Sequence, residues 1–252
     1  MIIIIHPIYQ HYKMEKIKVS AVSYTNTLPF LQGIMDSEVI EEIDLMLDYP
    51  SECARKVLED EADMGIIPIA AISKMDTYYL VGDYCIGSKD YVDSVFIFSN
   101  KPIEEVDTLL LDKQSRTSNG LAQILLKRYW KRDVEIVSEG EADAYVLIGD
   151  RTFGKKATVP YVYDLGHYWK ELTGLPFAFA AWVANKKLPD EFLRKFNEAL
   201  KDGVSRPSDV IPGLPEIPGF DYEYYLNESL DYHLTEEKRK AIDLYLKWYK
   251  EL

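Results

Sequence analysis

The tripeptide Glu-Ala-Asp precedes a hydrophobic run twice, in "EADMGIIPI" from Glu61 and in "EADAYVLIGD" from Glu141. A short apolar run bounded by acids reads as a buried strand of an open α/β sheet. Its recurrence suggests two units of similar topology, although so brief a match does not establish a repeat. The surrounding pattern agrees. "IKVSAVSY", "EIDLMLDY" and the first run alternate with helical segments, and the alternation restarts near Lys101 with "VDTLLLD", the helix "SRTSNGLAQILLKRYW", "DVEIVS" and the second run.

This pattern predicts parallel strands alternating with helices, whose ligands bind beyond the carboxyl ends of the strands. Two such lobes bind ligand between them. With 252 residues the chain is long enough for two lobes of roughly 100 residues each. The expected division is an N-terminal extension over 1–15, a discontinuous first lobe over 16–94 and 185–252, and a second lobe over 95–184. Hinge crossovers are expected near Ser94 and Ala184, and the helices after Pro189 are expected to return to the first lobe.

Local signals refine the map. Ser51 is expected to cap the helix "ECARKVLEDE", and Thr235 to cap the last helix "TEEKRKAIDLYLKWYKEL". Pro189 and Gly203 bracket a helix between them. Trp169, Phe177, Phe179 and Trp182 read as core or pocket wall.

A net charge of −13 argues against nucleic acid or an anionic membrane as partner, since both demand a basic face. A small anion needs only a local positive pocket. Cys53 and Cys85 lie in apolar stretches and read as free thiols, and four scattered histidines complete no metal-ligand spacing. No metal and no cofactor are expected. The isoleucine-rich start lacks a basic flank and a cleavage site, and no stretch is long enough for a membrane span, so a cytoplasmic location is expected.

Four polar clusters are candidates for chemistry. In "VSYTNTLPF" an apolar strand runs into Ser23, Tyr24, Thr25 and Asn26 just before Pro29. These residues either close a strand-to-turn exit or donate hydrogen bonds to a ligand at the strand mouth. In "DKQSRTSNG" a strand gives way to a helix start, where free N–H groups favour anions. There Arg116 with Thr117 and Ser118 suits a carboxylate, unless Ser115 or Ser118 only caps the helix and Arg116 is solvated. In "LIGDRTF", Gly149 allows close approach of a ligand, and Asp150 acts on it or caps the next turn. The stretch "GHYWKELTGLPFAFAAW" reads as a helix stop before an apolar strand. No Ser-His-Asp or Cys-His arrangement is legible.

Taken in order, "VSYTNTLPF", "PSECARKVLEDEADMGIIPIA", "SVFIFS", "DKQSRTSNGLAQILLK", "LIGDRTF" and "YVYDLGHYWKELTGLPFAFAAWVAN" resemble the chorismate dehydratase family of the futalosine route to menaquinone. The resemblance spans Lys16 to Leu252. It implies an α/β, two-lobed periplasmic-binding-protein-like (type II) fold with the ligand cleft between lobes. It implies a carbon–oxygen lyase that removes water from chorismate to give 3-[(1-carboxyvinyl)oxy]benzoate, acting as monomer or homodimer. Asn26 and Asp150 become the expected catalytic residues. Ser23, Tyr24, Ser51, Ser94, Arg116, Thr117, Ser118 and Gly149 become the expected substrate contacts. An amide is not basic at neutral pH, so Asn26 is expected to orient while a substrate carboxylate takes the proton, with Asp150 as the protein-side alternative. The competing readings are a non-catalytic small-anion solute-binding protein and the sister naphthoate-forming synthase.

Overall fold

The computed structural model describes residues 15–252, so most of the expected N-terminal extension, Met14 included, lies outside the described residues. The chain begins with β1 (Ile17–Val22), α1 (Leu28–Met35), β2 (Ile43–Asp48), α2 (Pro50–Leu58), β3 (Met64–Pro68), α3 (Ile69–Ile72) and β4 (Tyr79–Ser88). It then crosses into β5 (Val95–Ser99), β6 (Thr108–Leu110), α4 (Arg116–Arg128), β7 (Glu135–Val137), β8 (Ala144–Ile148), β9 (Tyr161–Asp164) and α5 (Leu165–Thr173). It returns through β10 (Phe177–Ala184) to α6 (Asp190–Ser205), the turn α7 (Tyr222–Tyr224), a π-helical turn over Tyr225–Ser229, and α8 (Glu236–Tyr249).

Two five-stranded sheets form, ordered β2-β1-β3-β10-β4 and β7-β6-β8-β5-β9. Each has a parallel core and one antiparallel strand, β10 in the first sheet and β5 in the second. Both antiparallel strands directly follow a crossover between lobes, which reverses the chain relative to its new neighbours. The sheets are therefore mixed rather than all-parallel. The second crossover also precedes its expected place at Ala184: Phe177–Ala184 pairs with β3 and β4, so the chain has re-entered the first lobe by Phe177. An unbroken apolar run cannot tell which of two buried sheets it joins.

The two Glu-Ala-Asp segments do the same local work. Asp63 accepts the Lys18 amide at 2.9 Å beside β1, and Asp143 accepts the Asp107 and Thr108 amides at 2.9 and 3.2 Å beside β6. The following strands then pair in parallel, Val19 with Met64 and Leu109 with Ala144.

Core residues follow from the patterning. Phe30, Trp182 and Phe196 meet edge-to-face in the first lobe, and Trp169 packs on Phe177 between β10 and α5. Each large side chain removed from water contributes about 1.5–3 kcal/mol. Helices α1 and α6 touch backbone to backbone where Gly33 and Gly203 face each other, so close that a Cβ on either would strike the opposite main chain. Gly203 is thus a packing residue inside α6, not its stop. Ser51 is not a cap: Pro50 occupies the first turn of α2, and Tyr49 precedes it without a capping side chain. Thr235 does cap α8 by accepting the Lys238 amide. Cys53 and Cys85 are free and buried.

Helix α6 packs on α1 and β4 in the first lobe, as expected. Helix α8 does more. It lies on β10 and α4 together, with the Tyr245 hydroxyl donating to Thr117 O at 3.0 Å and Arg128 of α4 paired with Glu251. A splint thus spans both lobes. No helix among the described residues is long and apolar enough to cross a membrane.

Candidate active site

The strands of both lobes end at a shared cleft, and a small cavity lined from both sides lies there. The first lobe supplies Val22, Tyr24, Asn26, Thr27 and Pro68; the second supplies Val95, Ser115, Ser118, Ile148 and Gly149, and Ser94 stands at the crossover between them. Phe179 and Ile86 close an apolar side. Among the described residues lining it, Tyr24 is the one ionisable group.

After β1 the chain turns through a single 3₁₀ turn, Thr25–Thr27, before α1 begins at Leu28 with Pro29 in its first turn. The turn points Asn26 toward the cleft, with Asn26 Oδ1 accepting from Thr27 Oγ1 at 3.1 Å. Asp150, from the 3₁₀ turn after β8, reaches across and accepts the Thr25 amide at 3.1 Å and Thr25 Oγ1 at 3.0 Å. Burial pushes the Asp150 carboxyl above its ordinary range, and the Thr25 bonds hold it down in part. Its oxygens are therefore committed to the opposite lobe, and it does not line the cavity.

Gly149 has φ +62°, and a Cβ there would lie 2.7 Å from the Tyr24 ring. Both facts require glycine. Tyr24 in turn donates to Gln114 Oε1 in the loop before α4. That loop is shaped by Asp112, whose buried carboxylate accepts the Gln114 amide at 2.8 Å and pairs with Arg151 at 2.6 Å. Burial raises the Tyr24 phenol, opposed by Arg151, so it stays protonated at neutral pH.

At the start of α4, Ser115 is the cap. Its Oγ accepts the Ser118 amide at 3.1 Å and donates to Ser118 Oγ at 2.8 Å. The amide is thereby occupied, but the Ser118 hydroxyl keeps its own proton for a cavity acceptor. Thr117 faces away, its Oγ1 accepting the Ala70 amide of α3 at 3.0 Å. Arg116 is half-buried, lies outside the cavity wall and has no hydrogen-bond or ion-pair partner among the described residues.

Of the expected site residues, Tyr24, Asn26, Ser94, Ser118 and Gly149 thus converge on one cavity. Ser23 is exposed, its amide extending the β1–β2 pairing to Asp48 O. Ser51 lies beside the wall, where Pro50 takes its place. Thr117 and Asp150 join the lobes and do not line the cavity. Sequence reasoning missed Gln114, the Asp112–Arg151 pair and Tyr225, whose hydroxyl donates to Ser94 Oγ at 2.9 Å. Only long-range pairing places these groups, and a lone sequence carries no local signal for it. Among the described residues no cluster of His, Cys, Asp or Glu is arranged to hold a metal ion.

Residues 17–251 match the family described as "Menaquinone biosynthesis". The chain belongs to this family. One relative, a chorismate dehydratase of Thermus thermophilus, is 26% identical over 222 residues, covering 77% of this chain and 82% of the relative. Among solved structures, a protein of Archaeoglobus fulgidus superposes with a TM-score of 0.70 at 16% identity, over 95% of this chain and 97% of the other. A Candida albicans gene product described as exhibiting the generic periplasmic binding protein structural fold gives a TM-score of 0.63 at 10% identity, over 95% and 91%. The fold of this member of the menaquinone biosynthesis family is therefore two-lobed and periplasmic-binding-protein-like, with its cavity between the lobes.

Proposed function

We propose that the chain is a chorismate dehydratase, a hydro-lyase that converts chorismate to 3-[(1-carboxyvinyl)oxy]benzoate and water in the cytoplasm. The observation that carries the reading is the cavity's composition: hydroxyl and amide donors set in apolar walls, and no carboxylate, histidine or lysine among the lining residues. The relative named for this activity supports it.

The chemistry suits such a site. A C–H bond breaks at the ring carbon bearing the enolpyruvyl ether, and its electron pair completes the aromatic ring. The C–O bond of the neighbouring hydroxyl breaks, and the departing hydroxide takes a proton to become water. Aromatisation drives the reaction, so orientation matters more than a strong base. Ser94 and Ser118 offer hydroxyl donors to the substrate's carboxylates, and Asn26 orients the ether side or the leaving hydroxyl. With Tyr24 held protonated and Asp150 bound to Thr25, a carboxylate of the substrate itself is the proton acceptor best supplied by the arrangement.

The fold also serves solute binding, and one experiment separates the two. Purified protein is incubated with chorismate and followed by ultraviolet absorption and mass. Loss of one water supports the dehydratase; binding of unchanged chorismate supports a solute-binding protein and overturns the enzymatic reading.

A further inference from the structure

Tyr225 opens the π-helical turn after α7, 131 residues from the serine it touches, and is 1% exposed. Its hydroxyl donates to Ser94 Oγ at 2.9 Å.

Proton counting then gives this contact one direction. Tyr225 uses its single proton on Ser94. Ser94 Oγ accepts that bond and keeps its own proton to give. Within the protein its available acceptor is Val92 O at 3.4 Å, a long contact that an oxygen in the cavity readily replaces. Burial pushes the Tyr225 phenol well above its ordinary value, so it stays a donor at neutral pH instead of serving as an acid.

We infer that Tyr225 is a positioning residue of this site, which through Ser94 aims a fixed hydroxyl donor at a carboxylate of a small cyclic ligand. The inference rests on the cavity being the substrate site, as proposed above, but not on which reaction occurs there. A purely packing role is the competing explanation, because the ring also lies 5.2 Å from Phe153 and 5.4 Å from Phe220. Tyr225→Phe keeps that ring and removes only the donor.

The test is a double-mutant cycle of Tyr225→Phe and Ser94→Ala in the whole chain. Two readouts are taken: the Kd for isophthalate, a flat aromatic dicarboxylate, by calorimetry, and kcat/KM on chorismate. We expect Tyr225→Phe to weaken isophthalate about 5- to 10-fold, in keeping with loss of one directed hydrogen bond. Its melting temperature stays close to that of the parent, and the double variant binds no worse than Ser94→Ala alone. Unchanged binding by Tyr225→Phe, losses that simply add in the double variant, or no isophthalate binding by the parent would each overturn the inference. Coupling in binding without water loss from chorismate sustains the role of Tyr225 and rejects the dehydratase. Turnover of chorismate with additive losses does the reverse.

Discussion

The first lobe and the second share one strand order, so β1 corresponds to β6 and β3 to β8. The loops leaving these strands meet crosswise. Thr25, after β1, gives its amide to Asp150, after β8; Ala70, after β3, gives its amide to Thr117, after β6. Each lobe's first-strand exit is thus gripped by the other's third-strand exit, and Tyr24 and Gln114 join the two first-strand exits directly. The symmetry ends at the chemistry. The first lobe contributes backbone donors to both grips, while the second contributes a half-buried carboxylate to one and a buried hydroxyl to the other. Toward the cavity, the first lobe presents the amide of Asn26 and the second the hydroxyls of Ser115 and Ser118. One topology therefore fixes where polar groups emerge, while the residue chosen decides between holding the lobes and facing the cavity.

That division is open to test. The largest effect is expected at Asn26. Asn26→Ala lowers kcat on chorismate by about 10²–10³-fold, as for loss of an orienting donor, while Asp150→Asn lowers it less than about 10-fold. Steady-state kinetics decide the order. An Asp150→Asn variant that binds substrate but does not turn over would make Asp150 the proton acceptor and break the assignment.

The grips come next. Asp150→Ala and Thr117→Val each strand an amide of the opposite lobe, at a cost of about 1–3 kcal/mol in chemical denaturation. Both also enlarge the radius of gyration of the free protein in small-angle scattering, since the lobes part more readily. A larger radius for one variant alone shows that the crossed contacts are unequal in strength.

Gly149→Ala forces a left-handed backbone on a residue with a side chain and pushes the Tyr24 ring aside. Thermal melting is expected to register a loss of about 1–2 kcal/mol, with chorismate affinity falling alongside. A neutral Gly149→Ala would mean that the Tyr24–Gln114 contact is not needed for closure.

The smallest effect concerns the crossover itself. Asp164 is nearly fully buried and accepts the amides of Val92 and Asp93, in the crossover, and of Gly166 and His167, at the start of α5. Burial raises its carboxyl to about 6 despite these bonds. An acid whose folded pKa exceeds its unfolded value of about 4 holds its proton longer when folded. Its contribution to stability is therefore lost as pH rises through that window. Relative to Asp164→Asn, the parent's melting temperature should fall by a few degrees between about pH 4 and pH 6 and run parallel above. Parallel curves throughout would remove Asp164 as a titrating anchor.

Much of this arrangement was readable before any coordinates. The strand exits at Tyr24–Asn26, Ser115–Ser118 and Gly149 stand out because apolar runs end abruptly in small polar residues, and local chemistry writes that signal. The paired Glu-Ala-Asp segments foretold the matching lobes. Reading stopped where position depends on distant partners. Asp150 beside a strand end looks like an acid for the ligand until Thr25 claims it. Tyr225 sits among tyrosines that nothing local tells apart, and Phe177–Ala184 is apolar enough for either sheet. Ser51 failed for a different reason, because the adjacent Pro50 fits the first helical turn and the chain starts there.

The borrowed strand β10 also orders events on the ribosome. Residues 95–173 hold every strand of the second sheet, which can close as soon as they emerge. The first sheet cannot: β4 is separated from β3 by β10, made some ninety residues later, so β4 waits with an open edge. The splint α8 follows the strands of both sheets in the chain. The cleft is consequently assembled only once β10 and α8 have been made, and a chain stalled before β10 displays a finished second lobe beside an unfinished first.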